Sequence, residues 1–366
     1  MNNLKKFFKN KRIFITGHTG FKGTWLTTCL TNFGAKILGY SKNDEKRYSY
    51  EKICAFNKVQ NVYADILDYK SLKNKIKKFN PQIIFHLAAK SLVSESYKDP
   101  YKTIETNTLG TLNIIEISRN LKNLKSLVII TSDKCYLNKE FKKGYKENDI
   151  LGGDDPYSAS KASAELIFNA YSKSFFNFQN KFGFATARAG NVIGGGDWAQ
   201  DRIVPDCVRS WSKGEAVTIR NPYATRPWQH VLEPLSGYLT LALTLHEGKI
   251  GNGESFNFGP PSEQNVNVQK LIEDLSKHWN FNNKNDSFSI VKTDSFHEAG
   301  LLKLNCEKAL FHLNWKPVLN YEQLITFVGE WYYKYYKGQT DMFDYTIRQI
   351  DEYQIAAKEA GLTWSR

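Results

Sequence analysis

The chain lacks the features that would anchor it, staple it or repeat it. No run approaches the ~20 consecutive apolar residues that a membrane-spanning helix needs, so a helical membrane protein is excluded. The N-terminal MNNLKKFFKNKR is basic but has no apolar stretch behind it, and a secretory signal is not expected. The five cysteines, Cys29, Cys54, Cys135, Cys207 and Cys306, are scattered and odd in number, with no CxxC pair. That pattern speaks against a disulfide scaffold and against a zinc site, and for a reducing cytoplasm. No metal ligand set is expected. No internal repeat, low-complexity segment or linker is visible. The net charge is +13, yet the basic residues form no dense patch, so nucleic acid is not expected as a partner. Lys73, Lys75, Lys77 and Lys78 read as a solvated helix face. A small anionic ligand is a plainer use for the excess charge. With 41% hydrophobic and 24% charged residues, the chain is not disordered.

What is present is an alternation of apolar runs and helical stretches. RIFIT (12–16) is a short β-branched strand ending at glycine, and 23–32 follows as a helix closed by Gly34. AKILGY, NVYAD, QIIFHLAA, SLVIITS and FGFATARAG read as further strands. Helices are expected at 71–79, 100–120 and 156–176, the last with Pro156 in its first turn. Strands alternating with helices mean βαβ units, hence a doubly wound parallel sheet of the Rossmann type in an α/β fold. Beyond Gly190 the pattern breaks into glycine-rich loops such as NVIGGGDW and a tail rich in Trp and Tyr. The expected division is a dinucleotide-binding domain over 1–190, with a return segment at 226–258. A smaller C-terminal substrate-binding lobe is expected from 191–225 and 259–366.

Thr16-Gly17-His18-Thr19-Gly20-Phe21-Lys22-Gly23 follows the first strand and opens the first helix. Gly17, Gly20 and Gly23 make a GxxGxxG pattern. Its glycines permit the tight turn, a close approach of backbone N–H groups to a pyrophosphate, and helix-on-strand packing. The helix N-terminus adds partial positive charge. Spacing alone is equally compatible with an ordinary βα turn; position after the first strand of a βαβ series favours a dinucleotide. The acid that often ends the second strand and holds the ribose is missing. Ser41 is the nearest positional match in GYSKND, and Lys42 suits a 2′-phosphate, so the residues leave NAD and NADP both open. Asp65 either meets the adenine edge or caps the next helix. Candidate cofactor contacts are Gly17, Thr19, Gly20, Phe21, Lys22, Gly23, Ser41, Asp65, Ile66, Leu87, Ala88, Ala89 and Asn107, with Tyr157 and Lys161.

Tyr157-Ser158-Ala159-Ser160-Lys161 places a phenol and an ammonium on one helix face. A nearby ammonium favours tyrosinate, and the expectation is a phenol lowered from about 10 into use as a base for a hydroxyl. Ser132 sits at the end of a buried strand, where ligands of open α/β sheets gather. Asp133 and Lys134 follow it. An acid and a base at that point suit an elimination, which a simple oxidoreductase would not need. A capped strand end with a solvated Asp–Lys pair is the plainer alternative.

TGHTGFKG, Ser132 and the Tyr157-x-x-x-Lys161 pair occur in the order of the extended short-chain dehydrogenase/reductase family, and the chain resembles its epimerase/dehydratase branch. GHTGFKGTWL, TSDKCY, GGDDPYSASKASAEL, RAGNVIGGGDWAQDRIVPD and RNPYATRPWQHVLEPLSGY carry the likeness from residue 17 to 238. They are most similar to the 4,6-dehydratases that act on CDP-glucose. The resemblance implies NAD held throughout turnover, with Ser132, Asp133, Lys134, Tyr157 and Lys161 as the catalytic set. The substrate it implies is a nucleotide-sugar, CDP-glucose, and the product a 4-keto-6-deoxyhexose for surface polysaccharide. Asn191, Arg202, Arg220, Arg226 and His230 are the candidate substrate contacts, since arginine's planar fork suits phosphate oxygens. Trp198 and Trp228 are expected as core residues, with packing on the nucleotide base as the alternative. A homodimer through 100–120 and 156–176 is also implied. A 4-epimerase would share every motif but Asp133-Lys134; a non-catalytic dinucleotide-binding regulator would not need Ser132, Tyr157 and Lys161.

Overall fold

The computed structural model describes residues 3–42, 48–176, 182–261, 263–279, 281, 286–291, 301–338 and 340–365. Seven parallel strands form the central sheet: β1 (Arg12–Thr16), β2 (Lys36–Ser41), β3 (Gln60–Tyr63), β4 (Ile83–His86), β5 (Ser126–Ile130), β6 (Gly183–Arg188) and β7 (Glu254–Asn257). Their order is β7-β6-β5-β4-β1-β2-β3. The chain winds outward from β1 to β3, returns, and winds outward again from β4 on the other side. β1 and β4 are therefore neighbours whose following loops diverge, which opens a crevice at their carboxyl ends. The doubly wound parallel sheet expected from the sequence is present.

The helices of nine or more residues are α1 (Phe21–Asn32), α2 (Tyr69–Phe79), α3 (Gly110–Ser118), α4 (Pro156–Tyr171), α5 (Ile203–Trp211), α6 (Leu232–His246), α7 (Val268–Ser276), α8 (Tyr321–Lys337) and α9 (Met342–Glu359). Strand side chains alternate between the two faces. Ile13, Ile15, Ile83, Phe85, Val128 and Ile130 join one apolar cluster with α1, α6, α8 and α9. Phe14, Ile84, Leu127, Ile129 and Phe184 join another with α2, α3 and α4. Burial on both faces explains why these strands read as continuous apolar runs.

α1 is buried from Gly23 to Leu30 despite three threonines. Of these, Thr27 and Thr28 donate back to the carbonyls of Gly23 and Thr24 at 2.7 and 2.8 Å, which satisfies their hydroxyls within the apolar layer, and the half-buried Thr31 does the same to Thr27 O at 2.7 Å. α4 begins where Asp155 caps it, accepting from Ser158 N at 2.9 Å, with Pro156 in the first turn. The helix expected over 100–120 is broken by a π turn at Glu105–Leu109, and α4 runs into another at Ser172–Phe176.

Gly194 and Gly195 join the sheet side to the C-terminal helices. Trp25 Nε1 on α1 donates to Gly195 O at 2.8 Å, and the Tyr332 hydroxyl on α8 donates to Gly194 O at 3.0 Å. A Cβ on Gly195 would fall 1.9 Å from Trp331. Gly195→Ala is therefore expected to lower stability by about 1–3 kcal/mol through overpacking. Urea unfolding followed by tryptophan fluorescence would read the shift; an unchanged midpoint would contradict this packing.

Candidate active site

The loops at the carboxyl ends of β1, β4, β5 and β6 enclose a cleft of about 1580 Å³. Its lining includes Gly17, Thr19, Gly20, Phe21, Lys22 and Gly23 from the first loop and Ser41, Asp65 and Ile66 at one end. Leu87, Ala88 and Ala89 follow β4, and Ser132, Asp133 and Lys134 follow β5. Tyr157 and Lys161 enter from α4. Asn191, Arg202, Arg220, Arg226 and Trp228 line the other end. One cleft thus gathers nearly all the residues singled out by sequence.

The first loop is built for close approach. Gly17 has φ +71°, and a Cβ there would meet Ala88 N at 2.8 Å. A Cβ on Gly23 would lie 2.0 Å from Gly17 O. No side chain caps the N-terminus of α1, so its first N–H groups remain for a ligand beside Gly20 and Phe21. These features fit a dinucleotide pyrophosphate. Ser41 is held by its neighbours: its hydroxyl lies 2.8 Å from His18 Nδ1 and accepts from Thr19 N at 3.4 Å. Lys42 forms an ion pair with Asp65 at 2.8 Å, on the partly exposed rim. The place of the missing ribose acid is thus taken by a serine locked to the loop and a lysine matched to Asp65. Burial and the Arg202 guanidinium lower Lys22 to about 7.

At the reacting end, a single 3₁₀ turn, Asp133–Cys135, follows β5. The Ser132 hydroxyl accepts from Lys134 N at 3.3 Å and donates to Asp133 Oδ1 at 2.9 Å. Asp133 is buried, whereas the Lys134 side chain reaches the cleft from an exposed position. Tyr157 and Lys161 are 7% and 6% exposed, far too dry for the surface pair that a chance Tyr-x-x-x-Lys spacing would give. Lys161 Nζ lies 3.5 Å from Ile130 O, and burial lowers it to about 8. Tyr157 departs from expectation. Burial pushes its phenol up to about 12, and the Ser132 hydroxyl only partly offsets this. In this cleft desolvation outweighs the Ser132 hydrogen bond and the Arg202 guanidinium, which act the other way.

Two sequence-based assignments need correction. His230 does not line the cleft: it is fully buried between Trp25 and Phe327, and its Nδ1 accepts from Leu232 N at 3.3 Å. Asn107 does not reach the cleft either. It sits in the π turn, donates to Ser160 Oγ at 2.8 Å and Lys90 O at 3.0 Å, and accepts from Lys90 N at 2.8 Å. It ties α4 to the loop that follows β4. Arg202 is held by Asp197 at 2.7 Å, while Arg220 reaches Asp201 only at 3.9 Å and is half exposed. Trp228 lines the cleft with its Nε1 donating to Val266 O, whereas Trp198 packs on Tyr332 and Tyr335. Sequence reasoning missed Gly190 and the buried pair Glu165–Arg188. A charged residue inside the apolar strand FATAR was the available signal, since a buried charge requires a partner. Among the described residues, no group of His, Cys, Asp and Glu is arranged to hold a metal.

A parallel sheet with this glycine loop, strand-end serine and Tyr–Lys helix defines an enzyme of the short-chain dehydrogenase type. The model of the GDP-mannose 4,6 dehydratase family matches residues 14–327, and the chain belongs to that family. It is 42% identical over 357 residues to CDP-glucose 4,6-dehydratase of Salmonella typhimurium, covering 96% of this chain and 98% of that one. Among solved structures it is similar to the dTDP-glucose 4,6-dehydratase DesIV of Streptomyces venezuelae, determined with NAD and TYD bound. That match has TM-score 0.74 and 20% identity, over 89% of this chain and 98% of that one. The epimerase Mth375 of Methanothermobacter thermautotrophicus superposes with TM-score 0.77 and 20% identity, over 92% and 97% of the two chains.

Gly190 carries a prediction. A Cβ there would lie 1.8 Å from Asp133 Oδ2, so the carboxylate rests against bare backbone. Gly190→Ala is expected to displace Asp133 and lower kcat on the order of 10²-fold. NAD affinity, titrated by tryptophan quenching, should hold. Wild-type turnover in this variant would show that Asp133 needs no such seat.

Proposed function

We propose that the chain converts CDP-glucose to CDP-4-dehydro-6-deoxyglucose and water, using NAD that ends each cycle as it began. The observation that carries this reading is Asp133-Lys134 beside Ser132, facing the Tyr157–Lys161 helix across one cleft, in a chain 42% identical to a CDP-glucose 4,6-dehydratase. The nucleotide base comes from that identity alone.

In this reading Gly17–Gly23, Ser41, Asp65, Ile66 and Leu87–Ala89 would hold NAD, which would supply reversible hydride transfer. Tyr157 takes the proton of the C4 hydroxyl, oriented by Ser132. The Arg202 guanidinium works against the burial of this phenol, and the positive charge of a bound cofactor would add to it, with Lys161 on the same helix face. Once C4 is a ketone, the C5 proton is acidic. Lys134 removes it, and Asp133 protonates the departing C6 hydroxyl, which leaves as water; C6 then takes back the hydride that left C4, and C5 the proton held by Lys134. Arg202, Arg226 and Asn191 sit where the diphosphate would lie; Arg220 stands at the rim.

We also infer a homodimer. Tyr101, Ile104 and Leu109 on the 100–118 stretch and Leu166 and Phe175 on the α4 stretch are large, apolar and exposed, Tyr101 at 74% and Leu166 at 58%. A second copy would cover both stretches at once. Light scattering at micromolar concentration should give twice the chain mass, and Leu166→Glu should give the chain mass; a monomeric wild type would rule the dimer out.

The deciding experiment offers CDP-, dTDP-, GDP- and UDP-linked hexoses with product mass measured. Loss of one water is expected from CDP-glucose. Isomerisation without loss of mass, or turnover of another donor alone, would overturn the assignment. Tyr157→Phe should abolish turnover while leaving the thermal midpoint within a few degrees; retained turnover would remove Tyr157 from the mechanism.

A further inference from the structure

Beneath the cleft lies an ion pair that does not line it. Glu165 stands one turn beyond Lys161 on α4 and is fully buried; Arg188 ends β6 and is 1% exposed. Arg188 Nε donates to Glu165 Oε1 at 3.0 Å and Nη2 to Oε2 at 2.7 Å, a two-pronged pair. The carboxylate also accepts from Thr131 Oγ1 at 2.5 Å, Thr186 Oγ1 at 3.0 Å and Ser255 Oγ at 3.2 Å. The guanidinium reaches onward from Nη1, to the Tyr136 hydroxyl at 2.7 Å and Glu147 O at 2.9 Å. Tyr136 in turn donates to Asn257 Oδ1 on β7 at 2.8 Å.

Two partners of this pair, Thr131 and Tyr136, flank the turn that carries the reacting groups. Thr131 immediately precedes Ser132. Tyr136 closes the Asp133–Cys135 turn. Gly190, the seat of Asp133, lies two residues past Arg188. Stability alone is a weak reason for such an arrangement, because a buried ion pair is often matched by apolar residues of similar volume. The strands it joins are already paired through their backbones, β5 to β6 and β6 to β7. Among the described residues α4 has no backbone hydrogen bond to them, and the Glu165 side chain ties it to both strands, beside the Lys161 Nζ contact with Ile130 O.

We propose that Glu165 and Arg188 are positioning residues of the dehydration, holding the Tyr157–Lys161 helix and the Ser132–Lys134 turn in one fixed relation. Neither touches the ligands; both act through Thr131 and Tyr136. This inference rests on the dehydratase reading above.

Two isosteric variants test it. Thr131→Val and Thr186→Val each remove one hydroxyl from the same carboxylate, the first from the catalytic turn and the second from the middle of β6. Turnover of CDP-glucose is measured with the thermal midpoint and with NAD affinity by tryptophan quenching. Thr131→Val is expected to lose about tenfold or more in kcat, with KM within about threefold of wild type. Thr186→Val is expected to keep kcat within about twofold, with a similar loss of stability. NAD affinity should be unchanged in both. Glu165→Gln should lose about 100-fold in kcat if it folds; if it does not, the threonine pair still decides. Equal kcat losses in the two threonine variants, or no loss in either, overturn the proposal. So does a KM that rises in step with the fall in kcat. A wild-type chain that converts no nucleotide sugar overturns the dehydratase reading and this one together, whereas an active wild type with equal threonine variants overturns this one alone.

Discussion

Two opposite charges withdrawn from water tie the reacting end of this molecule to its sheet. Glu165 and Arg188 sit where neither could exist unpaired, since an isolated buried ion costs several kcal/mol. Each therefore constrains the other's element, α4 on one side and β6 on the other. The hydroxyls of Thr131, Thr186 and Ser255 take up the carboxylate's remaining capacity, and Tyr136 with the Glu147 carbonyl takes up that of the guanidinium. Because the network closes on itself, the phenol of Tyr157 and the turn at Ser132 inherit a common frame. A satisfied polar network of this kind is rigid, and a broken one is costly.

Much of the fold was legible because a parallel sheet leaves a plain mark. β1, β4, β5 and β6 are predominantly apolar runs with helices between them, as burial on both faces requires, and the polar Thr186 and Arg188 of β6 are held in a buried hydrogen-bond network. β7 was harder to see. ESFN is short and polar at three of its four positions, and it belongs to the sheet by pairing with β6 rather than by any apolar signal of its own. The π turn at 105–109 was invisible for a different reason. Its residues have ordinary helix preferences, and the widening serves Asn107, whose three hydrogen bonds cross to other elements.

The cleft was legible where a motif imposes backbone geometry. Gly17 and Gly23 are demanded by close approaches that any side chain would obstruct, so their spacing is a direct record of shape. Charges were less readable. His230 looks in sequence like a ligand beside Arg226, yet it lies in an apolar pocket between Trp25 and Phe327, where burial lowers its imidazole to about 3. Spacing puts Tyr157 and Lys161 on one helix face, and both line the cleft, but spacing says nothing of solvent. Dryness acts on both groups, raising the phenol and lowering the ammonium, and only the folded cleft shows that it prevails. Glu165 and Arg188 are 23 residues apart and carry no joint signature until the strand and helix are stacked.

One apolar cluster runs from Ile13 and Ile15 of β1 through Trp25 to Trp331, Tyr345 and Tyr353 of α8 and α9. The covering helices and the sheet face they cover are therefore a single packing unit. Asn191 and Arg226 line the cleft and lie outside that cluster. Grafting the whole C-terminal portion from one relative to another would bring together two half-cores that never adapted to each other.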